Sequence, residues 1–272
     1  MHEPGTLSRE FPVPPSERAR VLLFGGTFDP VHAGHVELAD RARRAAWGLG
    51  PEQAGAALPW LVFVPAGRSP FKDRGPVASG EDRAAMIRLA AEGRPRVAVW
   101  GEEVLRGEAG EASYWVRTLA TAREACGPDA DLRFLLGGDQ LAGFHRWREP
   151  RRILELARPV VVARRGAERD AIADALRGAR FWTDAEIGAW LGAIVDVGLV
   201  DAAATDVRER LRRGLGADGL LHPLVERYAV ERRLYAADTE ERGAPGGGSS
   251  DAVRAPGPNP VTGGPSGPCA DS

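Results

Sequence analysis

Short apolar runs alternate along this chain with amphipathic stretches, and the two periods separate cleanly. Runs rich in Val, Leu and Phe predict strands at 20–24, 60–65, 96–99, 132–136, 159–163 and 194–198. Between them, apolar positions recurring every three to four residues predict helices near 33–47, 81–92, 114–125, 149–156, 168–178, 205–213 and 223–234. Strands that are apolar on both sides and alternate with helices predict an α/β fold, a doubly wound parallel sheet covered on both faces with a C-terminal helical portion. The ends depart from this pattern. Residues 1–17 contain several prolines and no periodicity, which predicts a loose arm before the first strand. From about Ala237 the chain turns rich in Gly, Pro, Ser and Ala, with almost no large apolar side chain after Tyr235. Such a stretch buries too little to offset the entropy of ordering it, so disorder is expected over 238–272. The expected organisation is an arm (1–17), one domain (18–236) and a tail (237–272). No internal repeat is evident.

A chain of 272 residues is long enough for a substantial single core. Its net charge of −2 supplies no basic footprint for nucleic acid, which favours small-molecule substrates. Cys126 and Cys269 are the only cysteines, too few for a disulfide framework or a four-thiolate metal site. A reducing cytoplasm is the expected location. No apolar run approaches the ~20 residues that span a bilayer, and the first residues lack a charged-then-apolar leader, so neither membrane insertion nor secretion is expected.

The chemistry concentrates at Val21 to His35, where an apolar strand runs into GGTFDPVHAGH. Gly25 and Gly26 permit a close turn around a ligand, and helical composition begins at Ala33. Polyphosphate is expected at the N-terminus of that helix, where free amides and the helix dipole favour an anion. His32 and His35, three residues apart, are expected on one helical face. No GxGxxG follows a strand and no GxxxxGK[ST] is present, which removes the two commonest rival phosphate motifs.

This string resembles the HxGH signature of the nucleotidyltransferase superfamily, and it is most similar to the bacterial nicotinate-nucleotide adenylyltransferases. The resemblance runs over about residues 20–235, with further motifs in family order. Val64 to Arg74 resembles the VPxxxPxHK loop, which puts Lys72 at the phosphate-binding lysine and Phe71 where His is usual. Arg83 to Ala90 is similar to the RxxMxxLA helix, with Met86 expected as packing. Ser113-Tyr114-Trp115 resembles the SYT element bordering the pyridine pocket, with Trp115 in place of Thr. Gly137-Gly138-Asp139 and Trp147 resemble GxD…W, and Asp139 could orient ribose, hold a metal through water or N-cap a short helix. Val160 to Arg164 resembles a VxxR strand ending. Asp201 to Leu211 aligns with ISSTxIR, retaining Thr205 and Arg208 but carrying Ala203 and Ala204 at both serine positions.

The resemblance implies a Rossmann-like nucleotidyltransferase fold and adenylyl transfer from ATP to nicotinate mononucleotide, yielding deamido-NAD and pyrophosphate. It assigns His32, His35, Lys72 and Arg208 to catalysis. Gly25, Gly26, Thr27, Phe28, Asp29, Gly34, Asp139, Arg164 and Thr205 join His32, His35 and Arg208 in holding ATP. Lys72, Ser113, Tyr114, Trp115 and Trp147 would hold the acceptor, and Mg²⁺ would arrive with ATP. A mononucleotide phosphate has its second pKa near ~6 and needs no general base, so the histidines would stabilise transition-state charge. Two alternatives stay open: adenylyl transfer to another phosphorylated acceptor such as nicotinamide mononucleotide, and a non-catalytic module that binds adenine nucleotides. Oligomeric state is not legible.

Overall fold

Six parallel strands form one sheet in the order β3-β2-β1-β4-β5-β6, in a computed structural model that describes residues 6–50, 52–67, 75–163, 167–198, 204–217 and 219–236. In chain order the elements are β1 (Arg20–Gly26), α1 (Ala33–Ala46), β2 (Trp60–Pro65), α2 (Gly80–Ala90), β3 (Val97–Val99), α3 (Glu102–Glu108) and α4 (Trp115–Cys126). The second half adds β4 (Asp131–Gly137), α5 (Gly138–Ala142), α6 (Pro150–Leu156), β5 (Arg158–Val162), α7 (Ala167–Gly178), α8 (Asp184–Gly192), β6 (Ile194–Val195), α9 (Ala204–Arg212) and α10 (Pro223–Glu231). These residues belong to one compact unit, Met1–Ala237. The disorder expected over 238–272 lies outside the described residues.

Strand pleating explains the two cores. In β1, Leu22 faces one layer while Val21 and Leu23 face the other. β2 divides the same way, with Leu61 and Phe63 opposite Val62 and Val64. Successive side chains on a strand point to opposite faces, so a run apolar throughout demands cover on both. Residues of α1, α2, α9 and α10 enter the first core, and those of α4, α6, α7 and α8 the second.

All six expected strands form, although β6 is only two residues long. Three helices are additional, α3, the five-residue α5 and α8. α8 starts with a capping box: the Thr183 hydroxyl accepts from the Glu186 amide at 3.2 Å, and the Glu186 carboxylate accepts from the Thr183 amide at 2.8 Å. α3 escapes hydrophobic patterning because its inward face carries Glu102, Glu103 and Arg106, all buried.

The arm is not loose over residues 6–17. Leu7 and Val13 are buried, Phe11 meets Trp100 edge to face at 5.0 Å, and the Trp100 indole donates to the Arg9 carbonyl at 3.0 Å. The Trp60 indole donates to Glu17 at 3.0 Å. Isolated apolar residues anchor this segment without any period, which is why its docking leaves no pattern.

Arg43 is fully buried near the end of α1. Its guanidinium pairs with Asp40 and donates to the carbonyls of Pro59, Pro95 and Arg96 at 3.1–3.2 Å. It therefore joins α1 to the segments that enter β2 and β3. Among the described residues, no helix is long and apolar enough to cross a membrane. Replacing Arg43 with Met strands the carbonyls of Pro59, Pro95 and Arg96 while Asp40, partly exposed, keeps Arg44 at 3.0 Å, which should cost about 2–3 kcal/mol in urea unfolding. A loss below about 1 kcal/mol would show that these contacts contribute little.

Candidate active site

The strand order places a topological switch between β1 and β4, whose crossover connections leave in opposite directions. In open α/β sheets the ligand crevice lies at the C-terminal ends of such a pair, here Gly26 and Gly137. The local reason for the two glycines in β1 is ring packing. A Cβ on Gly25 would lie 2.7 Å from the Trp115 ring, and one on Gly26 would lie 2.8 Å from the Phe28 ring. Phe28 adopts φ 51° to reach that place, and the Asp29–Pro30 peptide is cis.

His32 is not on the helix. It is the N-cap of α1, with extended backbone at φ −131° and ψ 170°, and His35 reaches back so that its Nδ1 accepts the His32 amide at 3.3 Å. This cap, rather than a helical face, brings the rings to 3.7 Å between centroids. A neutral imidazole that accepts at Nδ1 carries its proton on Nε2, leaving that N–H as its donor. His35 also lies 5.1 Å from Phe28, edge to face. Burial, then the neighbouring His32, pushes its pKa down to about 3. Of the first three amides of α1, that of Ala33 donates to Leu220 and that of His35 to His32. Less of the helix N-terminus faces a ligand than the sequence pattern implies.

Asp29 turns inward. Its carboxylate accepts the Val77 amide at 2.7 Å, the Ala78 amide at 3.1 Å and the Tyr235 hydroxyl at 2.7 Å, and the residue is 6% exposed. From α9, Arg208 donates to the Asp29 carbonyl at 2.6 Å and to the Thr205 hydroxyl at 3.3 Å. From α2, buried Arg83 donates to the Thr27 carbonyl at 2.8 Å. Thus Thr27, Phe28, Asp29, His32, His35, Thr205 and Arg208 come together around one loop. Arg83 and Tyr235 complete it, although the sequence placed neither at the site and gave Tyr235 only a packing role.

On the other side of the switch, Ser113 accepts the Gly67 amide at 3.1 Å, and the Trp115 ring covers Gly25. Arg148 stacks 4.8 Å over Tyr114, and Trp147 leans on Phe144 at 4.9 Å. Asp139 is exposed in the first turn of α5. It is not the cap, since Gly137 holds that position and its amide donates to Gln140 at 3.0 Å. Met86 is fully buried as packing. Lys72, Phe71, Arg164 and Ala203 lie outside the described residues. Cys126 is half-buried, its thiol pushed up to about 11 by burial.

The depressed His35 pKa has a stability consequence. The folded value of about 3 lies below the ordinary 6.5, so between them the unfolded chain binds the extra proton. His35 therefore adds no acid penalty above pH 6.5 and an increasing one as pH falls toward 3. Urea midpoints taken at about pH 7.5 and about pH 5 should fall less for His35→Gln than for the parent. Equal falls would contradict a neutral buried His35.

Comparison with known proteins gives the family. A cytidylyltransferase-like family model matches residues 23–210. A protein of Laribacter hongkongensis named probable nicotinate-nucleotide adenylyltransferase is 38% identical over 228 residues, covering 82% of this chain and 97% of its own. A Chromohalobacter salexigens protein of the same name is 37% identical, covering 80% and 96%. In fold, the chain is similar to Plasmodium falciparum nicotinic acid mononucleotide adenylyltransferase complexed with NaAD, with a TM-score of 0.54 at 15% identity over 79% of this chain and 97% of that one. With the HxGH pair at the sheet's switch point and this similarity over most of its length, the chain belongs to the nicotinate-nucleotide adenylyltransferase family of cytidylyltransferase-like nucleotidyltransferases.

Proposed function

We propose that the protein transfers the adenylyl group of ATP to nicotinate mononucleotide, releasing pyrophosphate and forming deamido-NAD. An oxygen of the mononucleotide phosphate attacks the α-phosphorus of ATP, and the bond from that phosphorus to the bridging oxygen breaks. The acceptor phosphate is largely ionised near neutral pH, so no base is required. What the reaction needs is charge stabilisation around the α-phosphorus and the departing pyrophosphate.

The observation that carries this reading is the His32–His35 pair at the glycine end of β1, with Arg208 beside it on the Asp29 carbonyl. In the proposed site the two histidines, Lys72 and Arg208 face the phosphates, and the loop from Gly25 to Asp29 lends backbone contacts. Gly34, Thr205, Asp139 and Arg164 complete the ATP side. Ser113, Tyr114, Trp115 and Trp147 border the acceptor. A neutral His35 donates from Nε2 without charge, and triphosphate would favour its protonation by opposing the burial that depresses it.

Mg²⁺ enters with ATP in this proposal. Among the described residues no three His, Cys, Asp or Glu side chains gather to hold a metal ion. An ion bound through substrate phosphates and retained waters needs no such cluster, and exposed Asp139, in the first turn of α5, is the carboxylate we assign to those waters. We place the reaction in the cytoplasm, where the two-cysteine composition and the substrates belong together.

Incubation with Mg·ATP and nicotinate mononucleotide should yield deamido-NAD and pyrophosphate by chromatography, with nicotinamide mononucleotide run in parallel. No product with the acid, or faster turnover of the amide, would overturn the acceptor assignment. His35→Ala should lower kcat/KM by roughly 10²–10³-fold while unfolding stays cooperative, as for loss of a positioned transition-state donor. An unchanged rate would remove His35 from catalysis.

A further inference from the structure

Glu103 is a buried carboxylate on a short helix that the proposed chemistry leaves unused. Burying an acid is costly unless its oxygens are well supplied with donors, and here the supply is specific. The Thr118 hydroxyl donates to Glu103 Oε1 at 2.6 Å and itself accepts from Arg106 Nη2 at 2.6 Å. The Ser113 hydroxyl also hydrogen-bonds the Glu103 carboxylate, while its oxygen accepts the Gly67 amide at 3.1 Å. Each hydroxyl thus passes a hydrogen bond from an N–H donor to the same carboxylate. Burial pushes the Glu103 carboxyl up, and the Thr118 hydroxyl, Arg106 and the Ser113 hydroxyl oppose that push. Glu102 meets Arg106 Nε at 3.3 Å, which keeps the guanidinium in place.

The same residues are tied by shape. A Cβ on Gly67 would stand 2.0 Å from the Glu103 carbonyl oxygen, so the end of β2 lies directly on the first turn of α3. Ser113 and Thr118 flank Tyr114 and Trp115, and the Trp115 ring lies on Gly25. An aliphatic side chain at position 103 could fill the space but could not accept either hydroxyl proton.

We propose that Glu103 is a positioning residue for acceptor recognition, fixing the Ser113-Tyr114-Trp115 turn against Gly67 and β1 through the Ser113 and Thr118 hydroxyls. This rests on the adenylyl-transfer reading, in which that turn borders the mononucleotide. Glu103 touches neither substrate, so its loss acts through geometry, and it acts on one substrate more than the other.

The test compares Glu103→Ala, Glu103→Gln and Ser113→Ala with the parent. Steady-state kinetics with each substrate varied are combined with hydrogen exchange at the Gly67 amide. Glu103→Ala should raise the acceptor KM roughly tenfold or more while the ATP KM moves by less than about twofold. Glu103→Gln should recover part of that loss, because its amide oxygen still accepts a hydroxyl proton while its NH2 accepts none. Ser113→Ala should raise the acceptor KM in the same direction; if Glu103→Ala does not fold, Thr118→Val, which removes a donor to Glu103 without touching Gly67 or the acceptor, carries the test with the same acceptor-selective rise. Exchange at Gly67 should quicken in Glu103→Ala and Ser113→Ala. Equal rises in both KM values, a Gln variant no better than Ala, or unchanged exchange at Gly67 would overturn the proposal. If the parent makes no product from nicotinate mononucleotide, the function reading fails by itself. Gly67 exchange then decides whether the hydrogen-bond relay exists.

Discussion

The carboxylate of Asp29 sets the position of the loop on which the site depends. It gathers two backbone amides at Val77 and Ala78 and the hydroxyl of Tyr235, three donors from segments far apart in the chain. Arg208 and Arg83 then take the carbonyls of Asp29 and Thr27. A loop bearing strained φ at Phe28 would relax if its polar groups could return to water. Its buried acceptors cannot lose their partners without a desolvation penalty, so the loop holds the conformation that brings His32 and His35 together.

Electrostatics at the histidines follows from that placement. The aromatic rings of Phe28 and Phe24 surround His35 and deprive a charged imidazole of solvation. The capping hydrogen bond to the His32 amide selects the tautomer. The site thereby presents oriented donors with little charge of its own on His35, and Arg208 supplies a permanent positive charge from α9. Preorganisation of this kind needs no rearrangement when charge develops on phosphate. On the acceptor side the Thr118 and Ser113 hydroxyls likewise converge on one buried carboxylate, that of Glu103.

Much of this was legible locally. Apolar runs marked the six strands, and GGTFDPVHAGH marked the strand, turn and helix together, because each signal lies within a few neighbouring residues. α8 was legible in principle from its Thr183 to Glu186 box but lacks a long apolar stripe. α3 was not, since its buried face is charged. Docking of the arm through Leu7, Phe11 and Val13 also left no periodic trace. The pairing of His32 with His35 was expected for a helical reason and arises from a cap instead.

Sequence alone determined the class of fold, the order of its strands and the presence of an imidazole pair beside a glycine turn. These depend on backbone propensity and on alternation that a strand or helix imposes over a few residues. Tertiary structure decided which polar groups turn inward. Tyr235 meets Asp29 across 206 residues and Arg208 meets it across 179. Glu103, Ser113 and Gly67 converge only because α3 is laid against the end of β2. A carboxylate has no preference for solvent or interior that its neighbours in sequence can express. Its role is settled by the donors the fold brings to it.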